Sequence, residues 1–177
     1  MDIGCGSGEV LLNVLYPLLP RNLSELVAID IDRSMIEYCK SLKVHSEISF
    51  EQLDIAIKEF PKKFRNRFDV LFSSYCFTYV KDLGQGLLNS RNSLKPNGEL
   101  LFILMFKKNQ LYTTYRELSK IDRWQPLTKE YAEFVPHFSN DEPNVQLEQE
   151  FKNAGLTVIN QQFIPDLHYE STAKQFV

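Results

Sequence analysis

Met1-Asp2-Ile3-Gly4-Cys5-Gly6-Ser7-Gly8-Glu9 opens the chain, a short apolar stub running into alternate glycines and then a helical pattern. It reads as a strand, a tight turn and a helix start. Glycines at positions 4, 6 and 8 admit positive φ and leave no Cβ between a ligand and the main chain. A dinucleotide fingerprint wants G-x-G-x-x-G, whereas here the third glycine comes one residue early and Glu9 stands in its place. Asp2 sets a carboxylate just before the first glycine, which repels a pyrophosphate and suits a ligand carrying ammonium and sulfonium charges. A glycine corner used only for packing is the alternative.

The following residues favour the ligand reading. Glu25-Leu26-Val27-Ala28-Ile29-Asp30-Ile31 is an apolar strand ending in a carboxylate. In a parallel α/β sheet that strand ends on the same edge as the first, so Asp30 is placed to accept both hydroxyls of a ribose. Such charge-assisted bonds contribute about 1.5–3 kcal/mol each. Asp30 as a helix cap is the competing reading, although Asp32 or Ser34 can serve there.

Working outward, Val10, Leu11, Val14, Leu15 and Leu18 follow helical spacing, closed by Pro17 and Pro20. A second helix is expected over 33–42, with Met35, Cys39 and Leu42 inward and a Ser34-x-x-Glu37 capping box. The segment 48–55 alternates apolar and polar before Asp54, a second carboxylate at a strand end, which alternatively caps a short helix over 56–60. Residues 68–74 form a fourth strand whose aromatic continuation, 75–80, sits at the carboxyl edge. A helix over 82–94 turns inward Leu83, Leu87 and Leu94. Lys95-Pro96-Asn97-Gly98 is a turn, and 99–106 is an apolar run expected to be buried on both faces. From 107 to 143 the pattern loosens, with Tyr112, Tyr115, Leu118 and Ile121 able to line one helix. That insertion leaves the ligand edge and is the natural cover for a substrate. Leu147, Phe151 and Ala154 restore helical spacing before a Gly155 C-cap, and 156–164 reads as a sixth strand.

Length and composition set the bounds. One domain spans all 177 residues, and at 44% apolar and 24% charged it is globular. With 20 basic against 23 acidic residues there is no global field for nucleic acid, and the basic run 62–67 reads as a solvated loop. Cys5, Cys39 and Cys76 form no C-x-x-C pair, which points to a reducing, cytoplasmic setting. No run approaches a membrane span, and the N-terminal residues do not read as a signal peptide, so a soluble protein is expected. His45, His137 and His168 have no metal-ligand spacing, so no metal is expected. Only Met1 to Ile3 precede the glycine turn, so the first strand is expected to be shortened.

The spelling D-I-G-C-G-S-G resembles motif I of the class I S-adenosylmethionine-dependent methyltransferases. Together with F-E-Q-L-D-I, F-D-x-x-F-S-x-Y-C, L-K-P-N-G-E, R-W-x-P and E-F-x-x-A-G-L, the chain is similar to the juvenile hormone acid O-methyltransferase family of arthropods. The cofactor motifs are widely shared; F-S-x-Y-C and R-W-x-P point to this family. The resemblance implies a Rossmann-like α/β fold, a doubly wound and mostly parallel sheet whose last antiparallel strand is not recognisable here. It implies S-adenosyl-L-methionine as cofactor, with contacts at Asp2, Gly4, Gly6, Asp30, Ile31, Asp54 and Ile55, Ser73 beside the methionine part, and Cys5 and Gly8 completing the loop. Asp54 is then expected to accept from the adenine amino group, with Ile31 and Ile55 flanking the ring. Tyr75, Tyr79 and Trp124 are expected near a small apolar acid, isoprenoid or fatty, whose carboxylate is O-methylated. A carboxylate is already ionised at neutral pH, so no general base is required. The family places His-Trp after the fourth strand where this chain has Thr78-Tyr79, and its N-terminal segment has no counterpart before Met1. The rival readings are a methyltransferase for another small molecule, a shortened non-catalytic S-adenosylmethionine-binding paralogue, and a nicotinamide-dependent oxidoreductase.

Overall fold

The computed structural model describes residues 1–104, 110–133 and 143–162. Strands β1 (Asp2–Ile3), β2 (Leu26–Asp30), β3 (Ile48–Gln52), β4 (Phe68–Ser74) and β5 (Leu94–Ile103) form one parallel sheet in the order β3-β2-β1-β4-β5. The chain steps outward from β1 to β3, then returns to the other side of β1. That reversal opens a crevice at the carboxyl ends of β1 and β4, where ligands of doubly wound sheets bind.

The helices divide between the two faces. A π-helical turn, Leu11–Leu15, runs into α1 (Tyr16–Leu18), and with α2 (Arg33–Ser41) it closes a core of Leu11, Ala28, Ile36, Cys39 and Phe50. On the opposite face α3 (Leu83–Ser93) covers Ile3, Ile29, Leu71 and Phe77. Beyond β5, α4 (Gln110–Leu118) packs on α5 (Gln125–Glu133), and α6 (Pro143–Asn153) returns to pack on α3. Gly155, at φ 77°, ends α6 as the spacing predicts. Fully buried Phe64, Phe77, Leu71 and Leu87 anchor this side, each contributing about 1.5–3 kcal/mol. Among the described residues no helix is long and apolar enough to cross a membrane.

Several local expectations are corrected. The first helix does not keep a 3.6-residue period: the Tyr16 N–H donates to the Leu11 carbonyl, five residues back. The phase slips by one residue, so Leu12, Leu15 and Tyr16 pack inward while Val10, Val14 and Leu18 stay exposed. In α2 the buried residues are Ile36 and Cys39 rather than Met35, and Asp32, not Ser34, is the cap, its carboxylate accepting from the Ser34 N–H. Glu37 pairs with Arg33 instead of closing a capping box. The segment after Asp54 is a turn, not a helix over 56–60. β5 begins earlier than expected, its pairing with β4 jumping from Phe68↔Leu94 to Val70↔Glu99 around the Lys95–Gly98 bulge. It is not buried on both faces, since Leu101 and Ile103 are exposed alongside Val70. Residues 156–162 form no strand, contrary to expectation, and 163–164 and the chain end lie outside the described residues, as do His137 and His168. Two short helices, α4 and α5, occupy the described part of the 107–143 insertion.

Candidate functional site

The site is built where β1 turns into the first helix. Gly4, Gly6 and Gly8 hold φ of 76°, 52° and 78°, a left-handed run that any side chain resists. The turn is fastened to β2: the N–H groups of Gly4 and Cys5 both donate to the Ile29 carbonyl, at 2.8 and 3.0 Å. A β-carbon built on Gly4 falls 2.2 Å from Cys76 Cβ, so this glycine is demanded by the 76–78 turn beneath it. One on Gly6 meets nothing within 4 Å, which leaves bare backbone open to a ligand.

Asp30, at the end of β2, holds this loop. Its Oδ2 accepts from the Gly6 N–H at 2.8 Å and its Oδ1 from the Asp32 N–H at 2.9 Å, so the carboxylate faces the corner. At the next peptide, the Cys39 thiol donates to the Gly6 carbonyl at 3.3 Å. The Leu53 N–H donates to the Asp30 carbonyl at 2.9 Å, which ties the end of β3 to the end of β2. Asp54 follows directly; its Oδ1 accepts from the Ala56 N–H at 2.8 Å, the cap-like bond that the sequence offers, while the rest of the carboxylate is exposed.

A cavity of about 240 Å³ lies over the loop, lined by Asp2, Gly4, Cys5, Gly6, Ser7, Glu9, Val10, Phe72 and Ser74. Of the expected residues, Asp2, Gly4, Cys5 and Gly6 meet here. Gly8 is buried below the loop, facing Cys39. Ser73 is fully buried with its hydroxyl donating to the Ile3 carbonyl at 3.1 Å, and it is Ser74 that lines the cavity. Strand alternation accounts for the difference: Asp2 pairs with Phe72, so Phe72 and Ser74 share the Asp2 face and Ser73 takes the other. Ile31 is exposed beside Asp30, whereas Ile55 is buried in the core. Tyr75, at φ 62°, is exposed at the end of β4, and Tyr79 and Trp124 are exposed as well.

The electrostatics are one-sided. Burial pushes the Asp2 carboxyl up to about 7, an effect countered by the Met1 ammonium and reinforced by Asp30. The Cys76 thiol is pushed up to about 12, first by burial and then by the charges of Asp30, Asp2 and Asp54 together. Burial, Asp2, Cys39 and Asp30 likewise raise the Cys5 thiol. Asp2 thus lines the cavity, Asp30 holds the Gly6 N–H beside it and Asp54 follows in the turn after β3, and among the described residues no ion pair engages Asp30 or Asp54. Such a field selects a cation. The sequence offers Cys76 as one of three scattered cysteines and as the last letter of F-S-x-Y-C; its place under Gly4 is not legible there. Asn89, whose carboxamide reaches the loop after Asp54, was missed altogether. A polar residue on the inward stripe of a helix was the available signal.

Residues 1–100 match the family described as a methyltransferase domain. The chain is 31% identical over 163 residues to the juvenile hormone acid O-methyltransferase of Drosophila melanogaster, covering 90% of this chain and 54% of that protein. It is 32% identical over 131 residues to the malonyl-acyl-carrier-protein O-methyltransferase of Acetivibrio thermocellus, covering 71% and 44%. The chain thus spans about half the length of the curated relatives it matches. In three dimensions it resembles a chain from the complex of the Haloferax volcanii Trm112 methyltransferase activator with a methyltransferase, at a TM-score of 0.68 and 20% identity over 99% of this chain and 68% of that one.

Proposed function

Because the chain belongs to the methyltransferase-domain family, we propose that it binds S-adenosylmethionine at the glycine corner and methylates the carboxylate of a small apolar acid. The observation that carries the cofactor assignment is the bare backbone at Gly6, with Asp2 lining the same cavity and Asp30 accepting from the Gly6 N–H. Carboxylates at this corner suit a ligand bearing an ammonium and a sulfonium, and they repel the pyrophosphate of a nicotinamide dinucleotide. Asp2 takes the ammonium, Asp30 the ribose hydroxyls and Asp54 the adenine amino group, with Ile31 flanking the ring.

When bound, the cofactor supplies an electrophilic methyl group, which passes in line to a carboxylate oxygen while the C–S electron pair stays on sulfur. The chain contributes alignment and exclusion of water. No proton moves, so the absence of a histidine at Thr78-Tyr79 leaves this chemistry intact. The acceptor class is supported by the names of two relatives, both O-methyltransferases, one acting on juvenile hormone acid and one on malonyl-acyl-carrier protein. Apolar character is supported by Tyr75, Tyr79 and Trp124, with Ile121 and Leu127 also exposed around α5. The α4–α5 pair is the cover over that acid.

The test is a two-part assay. Calorimetry on Asp30→Ala should show S-adenosylmethionine affinity reduced at least about tenfold, or about 1.4 kcal/mol; unchanged affinity removes Asp30 from the site. Labelled methyl should transfer from the cofactor to a long-chain or isoprenoid acid. Transfer to a phenol or amine with none to any acid defeats the carboxylate assignment and leaves the cofactor assignment standing.

A further inference from the structure

Asn89 is a polar side chain on the inward face of α3, 2% exposed. Its Nδ2 donates to the Ile55 carbonyl at 2.7 Å and to the Ile57 carbonyl at 2.8 Å. Its Oδ1 accepts from Gln85 Nε2 at 2.9 Å. Both amide hydrogens are thus engaged, and rotating the amide by half a turn would set an oxygen against two carbonyls, so the orientation is fixed by its partners. The segment it grips belongs to no strand or helix and lacks a ladder of its own. Its internal bonds are those of the Asp54 turn, Ala56 N–H to Asp54 Oδ1 and Ile57 N–H to the Asp54 carbonyl at 3.1 Å. From β2 it is held at Leu53, one residue ahead of Asp54.

The turn is therefore clamped on both sides of Asp54, by β2 before it and by one buried carboxamide after it. Burial accounts for the need to satisfy the Ile55 carbonyl. It does not account for one residue reaching both Ile55 and Ile57, which fixes the two ends of the turn whose middle bonds to Asp54. We propose that Asn89 is a positioning residue for Asp54, aiming its free carboxylate oxygen so that the site prefers adenine to a base without the exocyclic amino group. This rests on the reading of Asp54 as the acceptor of that group. Asn89 touches no ligand itself.

The experiment compares S-adenosylhomocysteine with S-inosylhomocysteine, which carries a 6-oxo group in place of the amine, by calorimetry in each protein preparation. Their affinity ratio is independent of how much of the sample is folded. The wild type should favour the adenosyl compound at least about tenfold, the worth of one charge-assisted hydrogen bond. Asn89→Leu should remove most of that preference while leaving inosyl binding little changed, and adding it to Asp54→Ala should lower the ratio no further. If Asn89→Leu does not fold, Gln85→Ala, which frees only the Asn89 oxygen, should lower the ratio about threefold, a fraction of one such bond. Equal loss of both ligands in either variant, or a drop in ratio that persists undiminished in the Asp54→Ala background, overturns the proposal. Wild type that binds the adenosyl compound without preference overturns it too, together with the role of Asp54. Wild type that binds neither overturns the cofactor reading and this inference with it.

Discussion

Gly4 and Cys76 are in mutual steric contact across the site, the thiol side chain occupying the place where a β-carbon on Gly4 would stand, 2.2 Å from Cys76 Cβ. The corner that greets the ligand and the 3₁₀ turn that follows β4, Cys76–Thr78, are consequently shaped by one another. A glycine so placed has two tasks, a backbone angle and a clearance, and the two can be separated by mutation.

Gly4→Ala meets both penalties, with left-handed φ costing about 1–2 kcal/mol and overpacking about 1–3 kcal/mol. Gly6→Ala meets only the first, because its new methyl points into open space. Chemical denaturation should therefore rank Gly4→Ala well below Gly6→Ala in stability, while calorimetry finds cofactor binding impaired in both. Wild-type affinity in Gly6→Ala would show that no ligand lies on that backbone.

Asp2 gives a pH signature. Its folded-state pKa, about 7, stands above that of an exposed carboxyl, so between about pH 4 and 7 the native state holds a proton that the unfolded chain has lost. Stability from this group is present at low pH and declines as pH rises through that window. Met1, whose buried amino group is lowered to about 6, acts in the opposite direction above that value. The contrast with Asp2→Asn isolates the effect: the variant should gain on the wild type as pH rises from 4 toward 7. A cationic ligand favours ionised Asp2, so wild-type affinity for S-adenosylmethionine should increase over the same range with release of a proton. Parallel stability curves for the two proteins would remove Asp2 from the titration.

Tyr75 sits at φ 62° with its ring exposed at the sheet edge, a conformation that glycine adopts freely. In Tyr75→Gly the relief of about 1–2 kcal/mol of backbone strain offsets the ring contacts and the about 0.5–1 kcal/mol of added chain entropy. Thermal melting should then shift little, while KM for the apolar acid rises about tenfold, the equivalent of about 1.4 kcal/mol of lost burial, with kcat largely kept. Marked destabilisation with unaltered KM would assign the ring to packing alone.

Much of this site was legible in the sequence because it depends on local grammar. Alternate glycines and a carboxylate closing an apolar strand each declare themselves within a few residues. The misses depend on partners far away in the chain. The π-helical turn after the loop shifts which leucines face inward, and no period-based reading foresees an extra residue in one turn. Met35 and Ile36 are equally apolar, and only the docking of α2 on β2 and β3 decides between them. The run 99–103 has the composition of a doubly buried strand, yet Leu101 lies next to Phe72 on the α1–α2 face, toward the sheet edge that those helices do not cover. Ser73 and Ser74 are alike as letters and differ only through the register of β4 against β1.

The central place of β1 in the sheet governs the order in which the molecule can assemble. One flank of β1 closes on β2, nearby in sequence, but the other closes only when Ile3 meets Ser73, 70 positions later in the chain. Closing so wide a loop is entropically slow and brings little reward until both flanks are in place. Recognition of the nucleoside should accordingly emerge with the final cooperative step of refolding.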